Sequence, residues 1–110
     1  MPMLSVKALE SYLARLYQDL SGDTGLFMKL VEEIGEVAEC LNVRDHRKGG
    51  TAEDDALAGE LADVIHYAVG IAAVNGIDLE RAILEKDERA AKKYHHEENL
   101  TQYLARQREE

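Results

Sequence analysis

The chain has 110 residues and a formal net charge of −9, which argues against a nucleic-acid-binding surface as its main function. That length makes one domain, with a core small enough that self-association helps. A single cysteine, Cys40, excludes an intrachain disulfide and fits a reducing, cytoplasmic setting.

Ala, Leu, Glu, Lys and Arg dominate, the only proline is Pro2, and no run alternates with period two, so the composition indicates an all-α fold. The opening MPMLSVKALE lacks the layout of a signal peptide. A first helix is expected from Ser5, its N-cap, to Leu20, with Val6, Leu9, Leu13, Leu16 and Leu20 as its apolar stripe. SGDTG at 21–25 reads as a turn, with Asp23 or Thr24 capping the next helix. The second helix is expected to reach Val43 and to bury Leu26, Leu30, Ile34, Val37 and Leu41. Residues 44–50, RDHRKGG, read as a polar, basic loop that either solubilises a turn or meets phosphate. Thr51 and Asp54 have the spacing of a capping box before a third helix from Glu53 to Val74, which Asn75-Gly76 stops. Its most apolar stretch, Val64–Val74, is shorter than a membrane span and carries His66, so no membrane association is expected. Asp78 caps a fourth helix reaching Tyr94; residues 95–99 interrupt the pattern, and Leu100–Arg108 form a short helix or a mobile arm.

Two carboxylate pairs sit within these apolar patterns: Glu33 with Glu36 on the second helix, and Glu60 with Asp63 on the third. Spacing i, i+3 puts each pair on one helical face. Helices two and three are joined by a short connection and so pack as antiparallel neighbours, which sets the pairs side by side. Four ionised carboxylates brought together repel one another unless a multivalent cation sits between them, and an all-oxygen ligand set suits Mg²⁺ or Mn²⁺. The competing reading is a solvated face with a Lys29–Glu33 ion pair. Asp63 and His66 echo the Glu-x-x-His of di-iron bundles, but the chain has no second copy of that motif, so His66 reads as a packed histidine. Glu39 and the His95-His96 pair read as surface residues. Tyr67, one turn after Asp63, either packs in the core or lies against a nucleobase.

The ordered set Glu32-Glu33-x-x-Glu36, Glu60-x-x-Asp63, Gly76-Ile77-Asp78-Leu79 and Lys86, within about residues 26–94, resembles the MazG-like nucleotide pyrophosphohydrolases of the all-α NTP pyrophosphatase superfamily. The resemblance implies a four-helix-bundle protomer over residues 1–94 with a helical or mobile extension over 95–110, assembled as a homodimer or dimer of dimers. It also implies Mg²⁺-dependent hydrolysis of a nucleoside triphosphate to monophosphate and pyrophosphate, in the service of nucleotide house-cleaning. Glu33, Glu36, Glu60 and Asp63 would be the metal ligands, with Glu32 or Glu33 accepting the proton of the attacking water. Many relatives carry K-x-x-x-N-x-x-R on the last helix. Here Lys86 is present, Ala90 replaces the Asn and Lys93 replaces the Arg, so the expected substrate contacts are Lys86, Arg89, Lys93 and Tyr67. Ala90 also sustains an alternative, a catalytically weak nucleotide-binding or regulatory helical dimer.

Overall fold

The computed structural model describes residues 3–46 and 51–109, with side chains for 3–43 and 55–108. The described residues form five helices and no strand: α1 (Val6–Leu16), α2 (Thr24–His46), α3 (Thr51–Val74), α4 (Leu79–Lys93) and α5 (Leu100–Glu109). The fold is all-α. The helices divide into two compact units, Met1–Ile77 with α1, α2 and α3, and Asp78–Glu110 with α4 and α5.

Local chemistry sets most of the helix ends. The Ser5 hydroxyl accepts from the Ala8 N–H at 3.0 Å and starts α1. This helix stops at Leu16, with Tyr17 as its C-cap, so Leu20 lies beyond it and Leu16 is exposed. The expected stripe therefore reduces to Val6, Leu9 and Leu13, of which Leu13 is wholly buried. The Asp23 carbonyl opens α2 by accepting from Phe27 N–H, and the Asp23 carboxylate accepts from Asn75 Nδ2 at 2.9 Å, which ties the start of α2 to the end of α3. Gly76 ends α3 in the left-handed region at φ 65°, and Ile77 N–H reaches back to the Ala72 carbonyl.

Helices α2 and α3 run antiparallel. Leu26 and Tyr17 meet Gly70, Glu33 meets Glu60 and Asp63, and Cys40 and Val43 share a cavity with Ala56, so contacts climb one helix while descending the other. Helical structure in α2 continues through His46, past the expected stop at Val43 and into the segment read as a loop. The side chains of the basic stretch 44–48, and the Thr51–Asp54 capping box, lie outside the described residues.

The inward face of α2 departs from the expected one at Ile34. Leu26 is buried and Leu30, Val37 and Leu41 are half-buried as expected, as are Glu33 and Cys40, whereas Ile34 is 53 % exposed. The reason is helical drift: steps of four and three residues from Leu26 lead through Leu30 to Glu33, not Ile34. Ile34 instead joins Phe27 and Val31 in a second, exposed stripe, and α3 carries a similar one at Leu61 and Ile65. By length and composition α3 could cross a membrane over Asp55–Val74, a wider window than the apolar stretch considered from sequence, and 17 % of its most apolar window is buried inside the protomer. That segment contains Glu60, Asp63 and His66, and two of those carboxylates meet Glu33 from α2.

In the second unit, the Asp78 carboxylate caps α4 by accepting from Arg81 N–H at 3.1 Å. His95 ends α4 in the left-handed region at φ 56°. A reciprocal pair of bonds between Asn99 and Gln102 caps α5, and Asp87 on α4 accepts from the Leu100 N–H at 2.6 Å. Residues 100–109 are therefore helical and fastened to α4.

Candidate functional site

Three carboxylates converge on the seam between α2 and α3. Oxygens of Glu33, Glu60 and Asp63 lie within 4.8 Å of one another, with Glu33 and Glu60 half-buried and Asp63 exposed. Helical spacing supplies Glu60 and Asp63 from one face of α3, and antiparallel packing brings Glu33 to them. Glu36 is not one of the three. It is exposed, one turn beyond Glu33, and lines an adjacent cavity of about 330 Å³ with Glu39, Cys40, Val43, Ala56 and Glu60. Glu60 thus belongs to both the carboxylate cluster and the cavity wall.

The electrostatics are those of a crowded acidic site. A hydrogen bond with the Glu60 carboxyl, then desolvation, then the charges of Glu60, Asp63 and Glu32, raise the Glu33 pKa from 4.5 to about 7. Near neutral pH Glu33 therefore keeps part of its proton in the absence of a cation. Among the described residues Glu60 Oε2 is buried without a hydrogen-bond partner. A cation would meet that demand. Oxygens around one Mg²⁺, at bonds of about 2.1 Å, stand roughly 3–4 Å apart, so the trio requires little rearrangement to become ligands. The residues fit a hard divalent ion.

Glu32 is exposed and pairs with Lys29 at 3.6 Å, so the ion pair that the sequence offered to Glu33 goes to its neighbour. Cys40 stands in the cavity wall, and burial together with Glu60, Glu36 and Glu39 pushes its thiol pKa up. His66 is held by Tyr17, whose hydroxyl lies 2.6 Å from His66 Nε2, and the Tyr67 ring sits edge-on to His66 at 4.9 Å. In the second unit Lys86 and Arg89 are exposed on α4, and Lys93 Nζ lies 5.4 Å from the centre of the Tyr94 ring. Tyr94 stacks on His96 at 6.2 Å.

Two features of this region escaped the sequence reading. The cavity beside Glu60 is lined from both helices, by Cys40 and Val43 on α2 and by Ala56 and Glu60 on α3, and only the helix register reveals it. The Tyr17–His66 bond spans 49 residues, and no local spacing announces it.

Residues 22–99 match the model of the MazG nucleotide pyrophosphohydrolase domain, most of the chain from the turn before α2 to the cap of α5. No curated protein matches the chain. The chain belongs to the MazG nucleotide pyrophosphohydrolase family.

Proposed function

We propose that the protein is a Mg²⁺-dependent nucleoside triphosphate pyrophosphohydrolase, cleaving its substrate between the α- and β-phosphates to release monophosphate and pyrophosphate. The observation that carries this reading is the convergence of Glu33, Glu60 and Asp63 in a chain of this family. Glu33, Glu60 and Asp63 would hold the ion, with Glu36, one turn from Glu33, as a fourth ligand. Bound Mg²⁺, or Mn²⁺ in its place, neutralises phosphate charge and makes a water more acidic. A carboxylate that the ion does not fully use, Glu32 or Glu33, is the proposed acceptor for the proton of the attacking water.

Tyr67 sits one turn past Asp63 and offers an aromatic ring to a nucleobase. Lys86, Arg89 and Lys93 are the proposed partners of the phosphate tail, Lys86 and Lys93 by their positions in the family's motif and Arg89 by its charge beside them. The exposed stripes Phe27–Val31–Ile34 and Leu61–Ile65 favour a homodimer or dimer of dimers that covers them. A cytoplasmic enzyme of nucleotide house-cleaning is the role that fits. The alternative, a nucleotide-binding dimer with little activity, rests on Ala90 alone and gains no support from the carboxylate geometry.

The test is hydrolysis of a panel of standard and modified nucleoside triphosphates with and without Mg²⁺, in the native protein and in Glu60→Gln and Asp63→Asn. Turnover that requires the ion and collapses in both variants supports the reading. Full turnover in chelator, or in both variants, removes it.

A further inference from the structure

The end of α1 is fastened to α3 by a residue that takes no part in the carboxylate cluster. Tyr17, the C-cap of α1, places its hydroxyl 2.6 Å from His66 Nε2, with the two rings perpendicular at 5.8 Å. Its ring lies over Gly70, one turn beyond His66 on the same face. A Cβ at Gly70 would stand 3.3 Å from the Tyr17 ring, so the glycine leaves the space that the tyrosine fills. His66 in turn meets the Tyr67 ring edge-on at 4.9 Å and 73°. All three rings are half-buried. Burial, then the neighbouring Tyr67 and Tyr12 hydroxyls, push the Tyr17 pKa up.

We infer that Tyr17 is a positioning residue that, through His66, holds the Tyr67 ring in the pose that discriminates between nucleobases. This inference rests on the reading of Tyr67 as a nucleobase contact one turn from Asp63. The geometry directs the effect to Tyr67 rather than to the metal ligands, because the ring that Tyr17 holds is the ring that Tyr67 touches. A tyrosine ring already confined in the free protein loses less rotamer freedom when a base stacks on it. Base-dependent affinity then depends on a hydroxyl that never touches substrate. Loss of that hydroxyl frees His66 and Tyr67 together and lowers the contrast between bases while leaving the carboxylates alone.

The experiment compares Tyr17→Phe with the native protein across nucleoside triphosphates that differ only in the base. Turnover is measured with Mg²⁺, and equilibrium binding with Ca²⁺ in its place, so that binding is read without hydrolysis. The expected result is a roughly 3–10-fold loss of contrast between the best and worst base, the scale of one hydrogen bond. It should appear in KM and Kd, with kcat and the half-activating Mg²⁺ concentration unchanged. His66→Leu should match Tyr17→Phe, and His66→Gln, which keeps an acceptor within reach, should restore most of the contrast. In a Tyr67→Ala background the Tyr17→Phe effect should vanish. The His66 pair decides the question if Tyr17→Phe proves unfolded by circular dichroism.

Unchanged base contrast in Tyr17→Phe or His66→Leu overturns the inference, as does an undiminished effect in the Tyr67→Ala background. A shift in the Mg²⁺ requirement alone also overturns it, since Tyr17 would then act on the metal ligands. A native protein that hydrolyses nothing yet binds nucleotides with a contrast lost in Tyr17→Phe would refute the proposed activity and leave this inference standing. Binding of no nucleotide overturns both.

Discussion

The Glu33 carboxyl faces the Glu60 carboxyl across the seam between α2 and α3, their oxygens within 4.8 Å of each other. Two carboxyl groups so placed ionise together only at a cost, and the Glu33 pKa is raised to about 7. The chain thus stores, without metal, the charge imbalance that a divalent ion is suited to resolve.

Metal binding should therefore release protons. Calorimetric titration of Mg²⁺ or Mn²⁺ at pH 7 in buffers of different ionisation enthalpy should show a fraction of a proton leaving per cluster, and less at pH 8.5, where Glu33 is already ionised. Equal heats in all buffers at pH 7 would count against Glu33 as a ligand.

The same shift fixes the sign of a stability effect. The Glu33 pKa is raised from 4.5 when unfolded to about 7 when folded, so between those values the folded chain binds more protons than the unfolded one. This contribution is fully present below about pH 4.5 and is lost as pH rises through about 7. Thermal melts of the metal-free protein should show the native melting temperature falling relative to that of Glu33→Gln from pH 5 to pH 8, and saturating Mg²⁺ should reverse the native protein's loss at the alkaline end. A native melting temperature that rises relative to Glu33→Gln with pH in chelator would contradict the raised Glu33 pKa.

Substitutions in the cluster should separate ligands from bystanders. Glu60→Gln and Asp63→Asn each remove a charged oxygen ligand, so their loss of turnover should exceed the ~10–100-fold typical of second-layer partners of a metal. Glu36, exposed and outside the trio, should show its role as a raised half-activating Mg²⁺ concentration in Glu36→Gln. In chelator, Glu60→Gln should melt no lower than the native protein, because its amide can still bond Glu33 while one charge is gone.

How much of this was legible in the sequence follows the range of the interactions. The Ser5 and Asp78 caps and the Gly76 stop depend on residues within a turn of one another, and all three could be read directly. The Glu33–Glu60–Asp63 convergence was legible because i, i+3 spacing and a short connection fix an antiparallel register. The outward turn of Ile34 was not, because apolar residues line two stripes of α2 and only packing against α3 selects the one with Glu33 over the one with Ile34. Tyr17 was absorbed into an overlong first helix, since its partners His66 and Gly70 lie about fifty residues away.

Leu13 is the one large side chain wholly buried among the described residues. A protomer so thinly cored should rely on its own copies. Sedimentation should find a dimer or tetramer, and Ile34→Lys or Ile65→Lys, each placing a charge on an exposed apolar stripe, should shift it toward monomer and lower its melting temperature. Leu13→Ala should cost about 2–5 kcal/mol, as expected for a large-to-small change in a close-packed core. An active monomer at nanomolar concentration would rule out the assembly.

On α4, Lys86→Ala should raise KM for any triphosphate by removing a cation from the phosphate tail. Ala90→Asn, which places an amide four residues from Lys86 on the same face, should leave activity equal or higher. No change in any kinetic constant on Lys86→Ala would take α4 out of substrate binding.

The central claim is cleavage at the α–β bond, and the products formed in ¹⁸O-labelled water test it most directly. With Mg²⁺ and a hydrolysed nucleoside triphosphate, one monophosphate should appear with each pyrophosphate, and both should disappear with chelator or in Glu60→Gln. The position of the label shows which phosphorus water attacked, and label in either product fits α–β cleavage. Nucleoside diphosphate formed together with orthophosphate, in an assay free of pyrophosphatase, would place attack at the γ-phosphate and contradict the account.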